Sequence, residues 1–260
     1  TKLSPDALLS PVIGLMKGLT DPVVGLLMGQ TAENLAWKFG IDRQQMDEFA
    51  VRSHQRALAG LAAGHFGEIV PVVDSKGNVY AEDDGVRADT TVEGLAGLRP
   101  AFSKDGTITA GNSSQITDGA AALVLMSPAA AAARGITGLA TVEAHALVAG
   151  PDVRLHAQPA DAILAALAKT DDTVADLAVV EINEAFASVG VHSTELLGVD
   201  AAIVNRNGGA IALGHPIGAS GARIVGHLAR QLHDLGPGTL GAAGICGGGG
   251  QGSAIVLRGL

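Results

Sequence analysis

The sequence predicts an α/β protein: a layered α/β/α domain in its C-terminal part, preceded by an irregular α+β region. Three observations carry this. From about residue 141 onward, apolar strand-like runs alternate with helical stripes, as strand–helix–strand units require. Residues 1–114 instead hold short helical patterns broken by Gly, Pro and charged turns. The 260 residues are 47% hydrophobic and 17% charged, ample for one large domain or two ordinary ones and incompatible with global disorder. With Gly at 36 and aromatic residues at 3%, the core must rely on Ala, Val, Ile and Leu in close backbone contact.

In chain order, Asp42 and Gln45 spell a capping box. It opens an amphipathic helix through Met46, Phe49, Ala50, Leu58 and Leu61, closed by Gly64. Residues 69–73 read as a short strand, and 74–89 as an exposed acidic hairpin or loop. Residues 120–126, Ala-Ala-Ala-Leu-Val-Leu-Met, are apolar on both faces, the pattern of a central strand buried on both sides. Strands are then expected at 141–148, 177–182, 202–205, 240–245 and 253–257, with helices at 159–169, 183–197 and 218–235. In the last helix Ala222, Val225, Ala229 and Leu232 form one apolar stripe. The alternation predicts a largely parallel sheet, whose sites lie at the carboxyl ends of strands. Asn183, His215 and Cys246 each follow a predicted strand and are placed to meet at one edge.

Charge and composition narrow the function. A net charge of −9 argues against a nucleic-acid surface, while a phosphate-bearing metabolite needs only a few local cations. The single cysteine, Cys246, excludes an internal disulfide and a Cys-rich zinc site, and fits a reducing, cytoplasmic compartment. No apolar run has the length of a membrane span, and no signal peptide is visible. His54, His65, His145, His156, His192, His227 and His233 show no ligand spacing, so surface positions and no metal are expected. The chain begins at Thr1, which raises the expectation of a piece of something longer.

The stretch Asn205-Arg206-Asn207-Gly208-Gly209-Ala210-Ile211-Ala212-Leu213-Gly214-His215-Pro216-Ile217-Gly218-Ala219-Ser220-Gly221 sets one histidine among glycines, just before a predicted helix whose free amides point back at it. A lone histidine is by default a core residue bonded to a carbonyl; the glycines and the strand-to-helix turn favour function. Cys246, by default a small buried hydrophobe, stands at the head of a glycine run that opens it to a ligand. His215 and the helix start at Gly218 are the candidates for lowering its pKa. Asn183 has a strong alternative as the N-cap of its helix. Gly247 to Gly252 also spells GxGxxG, but a strand follows it at once, so a dinucleotide loop is rejected.

Taken together, Asn183-Glu184-Ala185-Phe186, Gly214-His215-Pro216-Ile217-Gly218-Ala219-Ser220-Gly221 and Cys246-Gly247-Gly248-Gly249-Gly250 resemble the thiolase family, in its order and approximate spacing. Met28-Gly29-Gln30-Thr31-Ala32-Glu33-Asn34, Leu98-Arg99-Pro100-Ala101-Phe102 and Thr109-Ala110-Gly111-Asn112-Ser113-Ser114 look like family signatures too, and the similarity covers essentially the whole chain. The resemblance implies the thiolase fold, with 1–114 as the loop domain, 115–140 as the end of the N-terminal domain including one buried strand, and 141–260 as the C-terminal domain. It implies an acyl-CoA C-acyltransferase that condenses two acetyl-CoA molecules or cleaves a 3-ketoacyl-CoA with free coenzyme A. Coenzyme A thioesters are then substrates, no cofactor or metal is required, and a homodimer or tetramer is expected.

Roles follow from the resemblance. His215 activates a nucleophilic cysteine, and Cys246 moves a proton at the α-carbon. Asn183, through a water, and His215 form one oxyanion site, and the amide of Gly248 half of another. Ser114, Phe102, Met28 and Phe186 line the pantetheine channel, with Arg87 near the nucleotide end. Three residues depart from the pattern: Leu27 where acetyl-specific members have histidine, Gln115 in place of a small residue, and Arg206 in a stretch usually Asn-Val-Asn-Gly-Gly. The family's acyl-accepting cysteine belongs to an N-terminal half that these residues do not include, so the nucleophile is expected on an upstream segment. The rival readings are a truncated, non-catalytic acyl-CoA-binding subunit and a condensing enzyme of fatty-acid or polyketide synthesis; Cys246 in its glycine setting disfavours the second.

Overall fold

The structure is a computed structural model that describes residue 14, residues 16–152 and residues 155–260. Its first part carries α1 (Met28–Phe39), α2 (Arg43–Ala62), a hairpin of β1 (Val72–Val73) and β2 (Val79–Tyr80), and α3 (Val92–Ala96). The capping box is present: Asp42 accepts from the Gln45 amide at 2.8 Å, and Gln45 accepts from the Asp42 amide at 2.9 Å. Met46, Phe49, Ala50 and Ala57 bury the apolar side of α2. β1 and β2 form an exposed two-stranded ribbon whose turn Asp74 organises by accepting from the amides of Lys76 and Asn78. The 69–73 strand is thus shorter than its apolar pattern.

The rest comprises α4 (Pro128–Ala133), β3 (Ala140–Ala149), α5 (Gln158–Leu167), a 3-10 turn (Val174–Asp176), β4 (Leu177–Ile182), α6 (Ala187–Leu197), α7 (Ala210–Leu213), α8 (Ser220–Leu235), β5 (Leu240–Gly247) and β6 (Gln251–Gly259). The four longer strands form one sheet in the order β3-β6-β5-β4. Glycines reveal the layering. A Cβ on Gly244 would meet Ile163 of α5 at 3.0 Å, while one on Gly241 would meet Leu228 of α8 at 2.8 Å. Side chains of opposite parity face opposite sides of a strand, so α5 and α8 cover the two faces and the α/β/α expectation holds.

The sheet is not largely parallel. β3–β6 and β6–β5 are antiparallel, and only β5–β4 is parallel. β5 and β6 are joined by residues 248–250 alone, a link too short for any crossover and long enough only for a hairpin. The 202–205 strand shrinks to one parallel bridge, Val204 to Val180. Asn205 turns the chain away with φ +47°, and its side chain pairs with both the amide and the carbonyl of Ile182 at 2.8 Å. One side chain thereby replaces the next rung of the ladder.

Residues 120–126, read as a buried central strand, are exposed and outside both sheets in this structure; Val124 is 86% exposed. The segment touches α8 where Leu123 comes to 3.2 Å of a Cβ position on Gly226. A wholly apolar run needs strands on its edges and cover on both faces, and no strand among the described residues pairs with it.

Three histidines expected at the surface are buried: His54, His156 and His227. Each is enclosed by groups distant in sequence. His54 accepts from the Arg87 amide at 3.1 Å, and His227 stacks on Phe66 between Glu68 at 2.5 Å and Asn207 at 3.0 Å. His156 lies 6.1 Å from the Phe39 ring, and neither ring nitrogen has a partner among the described residues. Burial lowers its pKa to about 3, with His192 adding to the shift. Below the unfolded value near 6.5 the unfolded chain binds a proton that the folded chain refuses, so stability falls with pH and the loss is complete below the folded pKa. Unfolding free energy in urea is therefore expected to drop by about 1 kcal/mol per pH unit from this group between neutrality and pH 4. A His156→Leu variant should show a shallower slope over that range; an equal slope would clear His156 of the effect.

Candidate active site

β4 ends at Ile182, and the chain turns at Ala185, whose amide donates to the Asn183 carbonyl at 3.0 Å, before Phe186, the residue ahead of α6. The Asn183 amide donates to the Gly244 carbonyl of β5 at 3.0 Å, and Ser114 donates its amide to the Ala185 carbonyl at 3.0 Å. Asn183 therefore does not cap the helix, which starts four residues later than its pattern suggests. Its side chain is fully buried, with Nδ2 3.3 Å from Nε2 of His215 and Oδ1 without a partner among the described residues.

Gly214 delivers His215 in a backbone conformation with φ +91°, where a Cβ would lie 2.4 Å from Thr117 Oγ1. Only glycine fits there. The expected amides of α8 do not face the imidazole: those of Ala219 and Ser220 both donate to the Pro216 carbonyl. Instead the Ser220 hydroxyl lies 2.6 Å from His215 Nδ1 and 3.0 Å from the Pro216 carbonyl. With the Ser220 proton directed at Pro216, Nδ1 carries the hydrogen between the two groups and Nε2 keeps a lone pair; with that proton on Nδ1 the roles reverse. Burial, and secondarily Arg223, lower the imidazole pKa to about 4. His215 is neutral at physiological pH, with Nε2 toward Asn183.

Cys246 sits half-buried near the end of β5, two residues beyond the carbonyl that binds the Asn183 amide. Burial raises its pKa to about 12. The expected lowering by His215 and the helix start is corrected: burial outweighs both, the imidazole is itself uncharged, and the Ala219 and Ser220 amides are taken by the Pro216 carbonyl. Beyond Cys246 the chain turns through Gly249 and Gly250, both at positive φ. Buried Asp21 grips this turn, accepting from the Gly249 amide at 2.7 Å and the Val23 amide at 2.8 Å. The preceding Gly248 amide has no acceptor among the described residues.

The remaining sequence-selected residues fall into two places. Met28 Cε lies 3.3 Å from a Cβ position on Gly248, and the Phe102 ring leaves no room for a Cβ on Gly29. Phe102 meets Phe186 edge-on at 6.2 Å, and Phe186 pairs with Ser113, beside Ser114. Met28, Phe102, Phe186 and Ser114 thus continue one wall from Gly248. Arg87 stands apart, exposed on a loop tied to His54 through its amide.

Beneath the site, Glu184 is a buried hub. It accepts from Ser53 Oγ and Asn205 Nδ2 at 2.7 Å and from the Ile211 amide at 3.0 Å, and burial raises its pKa. These bonds hold the loop that leads into His215. Arg206 points to solvent between buried Asn205 and Asn207, which explains why a long cation is accommodated there. Sequence reasoning missed Ser220 as a partner of His215, although a hydroxyl five residues after a histidine at a helix start is a usable signal. It had none for Asp21, whose Thr-Asp-Pro context reads only as a turn. No cluster of metal-ligating side chains occurs among the described residues, and no described helix is long and apolar enough to cross a membrane.

An α/β/α domain with a neutral imidazole, a neutral thiol and a buried carboxamide at the carboxyl edge of its sheet belongs to the class built for proton transfer and oxyanion binding. The chain is a member of the thiolase family: residues 9–129 match the thiolase N-terminal domain and residues 136–259 the thiolase C-terminal domain. It is 53% identical over 246 residues to a probable acetyl-CoA acetyltransferase of Mycolicibacterium smegmatis, covering 93% of this chain and 63% of that protein. It is 46% identical over 250 residues to acetyl-CoA acetyltransferase of Escherichia coli, covering 94% and 63%. Among solved structures, Bacillus anthracis acetyl-CoA acetyltransferase superposes with TM-score 0.90 at 40% identity, covering 95% of this chain and 64% of that one. Human mitochondrial 3-ketoacyl-CoA thiolase in complex with CoA superposes with TM-score 0.86 at 36% identity, covering 95% and 62%. The chain therefore spans a little under two thirds of the length of these relatives.

Proposed function

We propose that this chain supplies the carbon-acid and coenzyme A-binding parts of an acyl-CoA C-acyltransferase, which condenses two acetyl-CoA molecules to acetoacetyl-CoA and, in reverse, cleaves a 3-ketoacyl-CoA with free coenzyme A. The observation that carries this is the placement of His215, with Ser220 Oγ 2.6 Å from Nδ1 and Asn183 Nδ2 3.3 Å from Nε2, an arrangement that suits Nε2 as the base. Relatives named acetyl-CoA acetyltransferase and 3-ketoacyl-CoA thiolase support the same reading.

In the first half-reaction His215 Nε2 takes the proton of an acyl-accepting thiol, which attacks the thioester and expels coenzyme A as the leaving thiolate. Cys246 is the only cysteine here and is assigned to proton transfer, so the acceptor thiol is supplied from outside these residues. Cys246 gives its proton to the departing coenzyme A thiolate, which leaves as the thiol, and the Cys246 thiolate so formed removes the α-proton of the second acetyl-CoA in the second half. A thiol with a pKa near 12 gives, once deprotonated, a strong base suited to a weak carbon acid. The carbanion attacks the acyl-enzyme carbonyl, and the tetrahedral oxyanion that forms and collapses needs fixed donors. Asn183 Nδ2 through a water, with His215 once it holds a proton on Nε2, suits one oxyanion position, and the Gly248 amide suits half of the other. The Met28, Phe102, Phe186 and Ser114 wall fits a pantetheine arm, and exposed Arg87 a phosphate-bearing end. A homodimer or tetramer in the cytoplasm belongs to the same proposal, the single thiol favouring a reducing compartment.

The presence of one cysteine favours a second reading, a non-catalytic acyl-CoA-binding subunit. Intact mass before and after acetyl-CoA separates the two. A purified protein heavier than 26.0 kDa that gains one acetyl group carries the nucleophile and supports the enzyme. A 26.0 kDa chain that binds acetyl-CoA without an adduct supports the binding subunit, and one that neither binds nor reacts refutes both.

A further inference from the structure

We infer that Gln115 is a positioning residue for the nucleotide end of coenzyme A, acting through the loop that carries Arg87; this rests on the function proposed above. The Gln115 carboxamide donates from Nε2 to the Gly85 carbonyl at 2.9 Å, with longer contacts to the carbonyls of Ile211 at 3.3 Å and Ala212 at 3.4 Å. One side chain thus clasps the Arg87 loop against α7 at Ile211 and Ala212, just ahead of Gly214 and His215. The approach is close. A Cβ on Gly85 would stand 2.6 Å from Gln115 Nε2 and 2.9 Å from the Ala212 carbonyl, so the loop lies flat on α7.

Two further ties complete the clasp. Val86 packs against Ala57, Ala212 and Leu213, and the Arg87 amide donates to His54 Nδ1 at 3.1 Å. The loop is anchored at three consecutive residues, and Gln115 supplies the only one of these anchors that reaches from the strand-like segment beside Ser114. The backbone of Ser114 is in turn fixed to Ala185, in the wall assigned to the pantetheine arm. Adjacent residues therefore set the two ends of one ligand: Ser114 the pantetheine wall and Gln115 the nucleotide rim. A small residue at 115 would leave the Gly85 carbonyl without this donor and free the rim from the wall.

The test compares binding of coenzyme A with binding of pantetheine, which has the same thiol arm and no nucleotide. Gln115→Ala should raise the dissociation constant for coenzyme A about three- to tenfold, the value of one hydrogen bond, with pantetheine binding within about twofold of the unsubstituted protein. Gln115→Glu keeps the length and removes the donor, and should give the same split. Amide hydrogen exchange at 85–87 should quicken in both variants without ligand. Equal weakening of both ligands would overturn the clasp, since Gln115 would then act on the wall or on the fold. Unchanged coenzyme A affinity in both variants, with a loss in Arg87→Ala, would overturn the clasp and leave the functional reading standing. If the unsubstituted protein binds coenzyme A no better than pantetheine, the nucleotide rim itself is refuted and the clasp with it.

Discussion

Replacing His215 with alanine, in the protein that carries the acyl-accepting thiol, is expected to lower acetoacetyl-CoA cleavage by about a hundred- to ten-thousandfold, the range for a positioned acid–base group. Its thermal and urea unfolding should barely change, because a half-buried ring contributes few contacts. The imidazole enters as base for the acceptor thiol and as donor at the oxyanion, so its loss removes two contributions at once. Cys246→Ser should be of similar severity, since an alcohol at the same position cannot become a base of comparable strength at neutral pH. Ser220→Ala should cost less, about tenfold, because the imidazole keeps its place and loses only the hydroxyl beside Nδ1. The acid limb of kcat/KM in the unsubstituted protein should fall toward pH 4 and not near 6.5, because burial has lowered the His215 pKa and the neutral ring is the active form. Near-normal turnover in both His215→Ala and Cys246→Ala would remove the site from the reaction.

Glu184→Ala is expected to lower unfolding free energy by about 3 kcal/mol, measured in urea, because three buried donors lose their acceptor together. Those donors are Ser53 Oγ, Asn205 Nδ2 and the Ile211 amide. The carboxylate is itself costly to bury, as its raised pKa records, so its removal relieves some penalty. The hub is nevertheless geometrically closed: Gly209 approaches so nearly that a Cβ would sit 2.4 Å from the Glu184 carboxyl carbon. The alanine variant vacates only the space of that carboxylate, and a water entering it would recover part of the loss. Glu184→Gln keeps one acceptor and should lose about half as much. A loss below about 1 kcal/mol in the alanine variant would mean that the donors find other partners.

These expectations rest on features of different legibility. The thiolase motifs, the capping box at Asp42 and the exact span of β4 were readable because each depends on neighbouring residues: a side chain meeting an amide three residues on, or an apolar run between turn formers. The α/β/α layering followed from alternation in the same way. The direction of the strands was legible in one place only, the three-residue link at 248–250 that permits nothing but a hairpin; that β3 pairs antiparallel with β6 depends on contacts far apart in the chain. The apolar run at 120–126 shows the converse. Its composition is that of a buried strand, yet burial depends on partners that a pattern does not contain.

Sequence by itself determined which side chains could carry chemistry here: one histidine among glycines, one thiol, one asparagine after a strand. Only tertiary structure decided their protonation states and their supports. Burial made the imidazole neutral and the thiol a weak acid, reversing the expected activation of Cys246. Partners remote in sequence, Asp21 at the glycine turn, Ser53 under Glu184 and Gln115 across to Gly85, gave the site its shape. The reason is physical: dielectric environment and hydrogen-bond geometry depend on what surrounds a group in space, and the chain order records only what adjoins it.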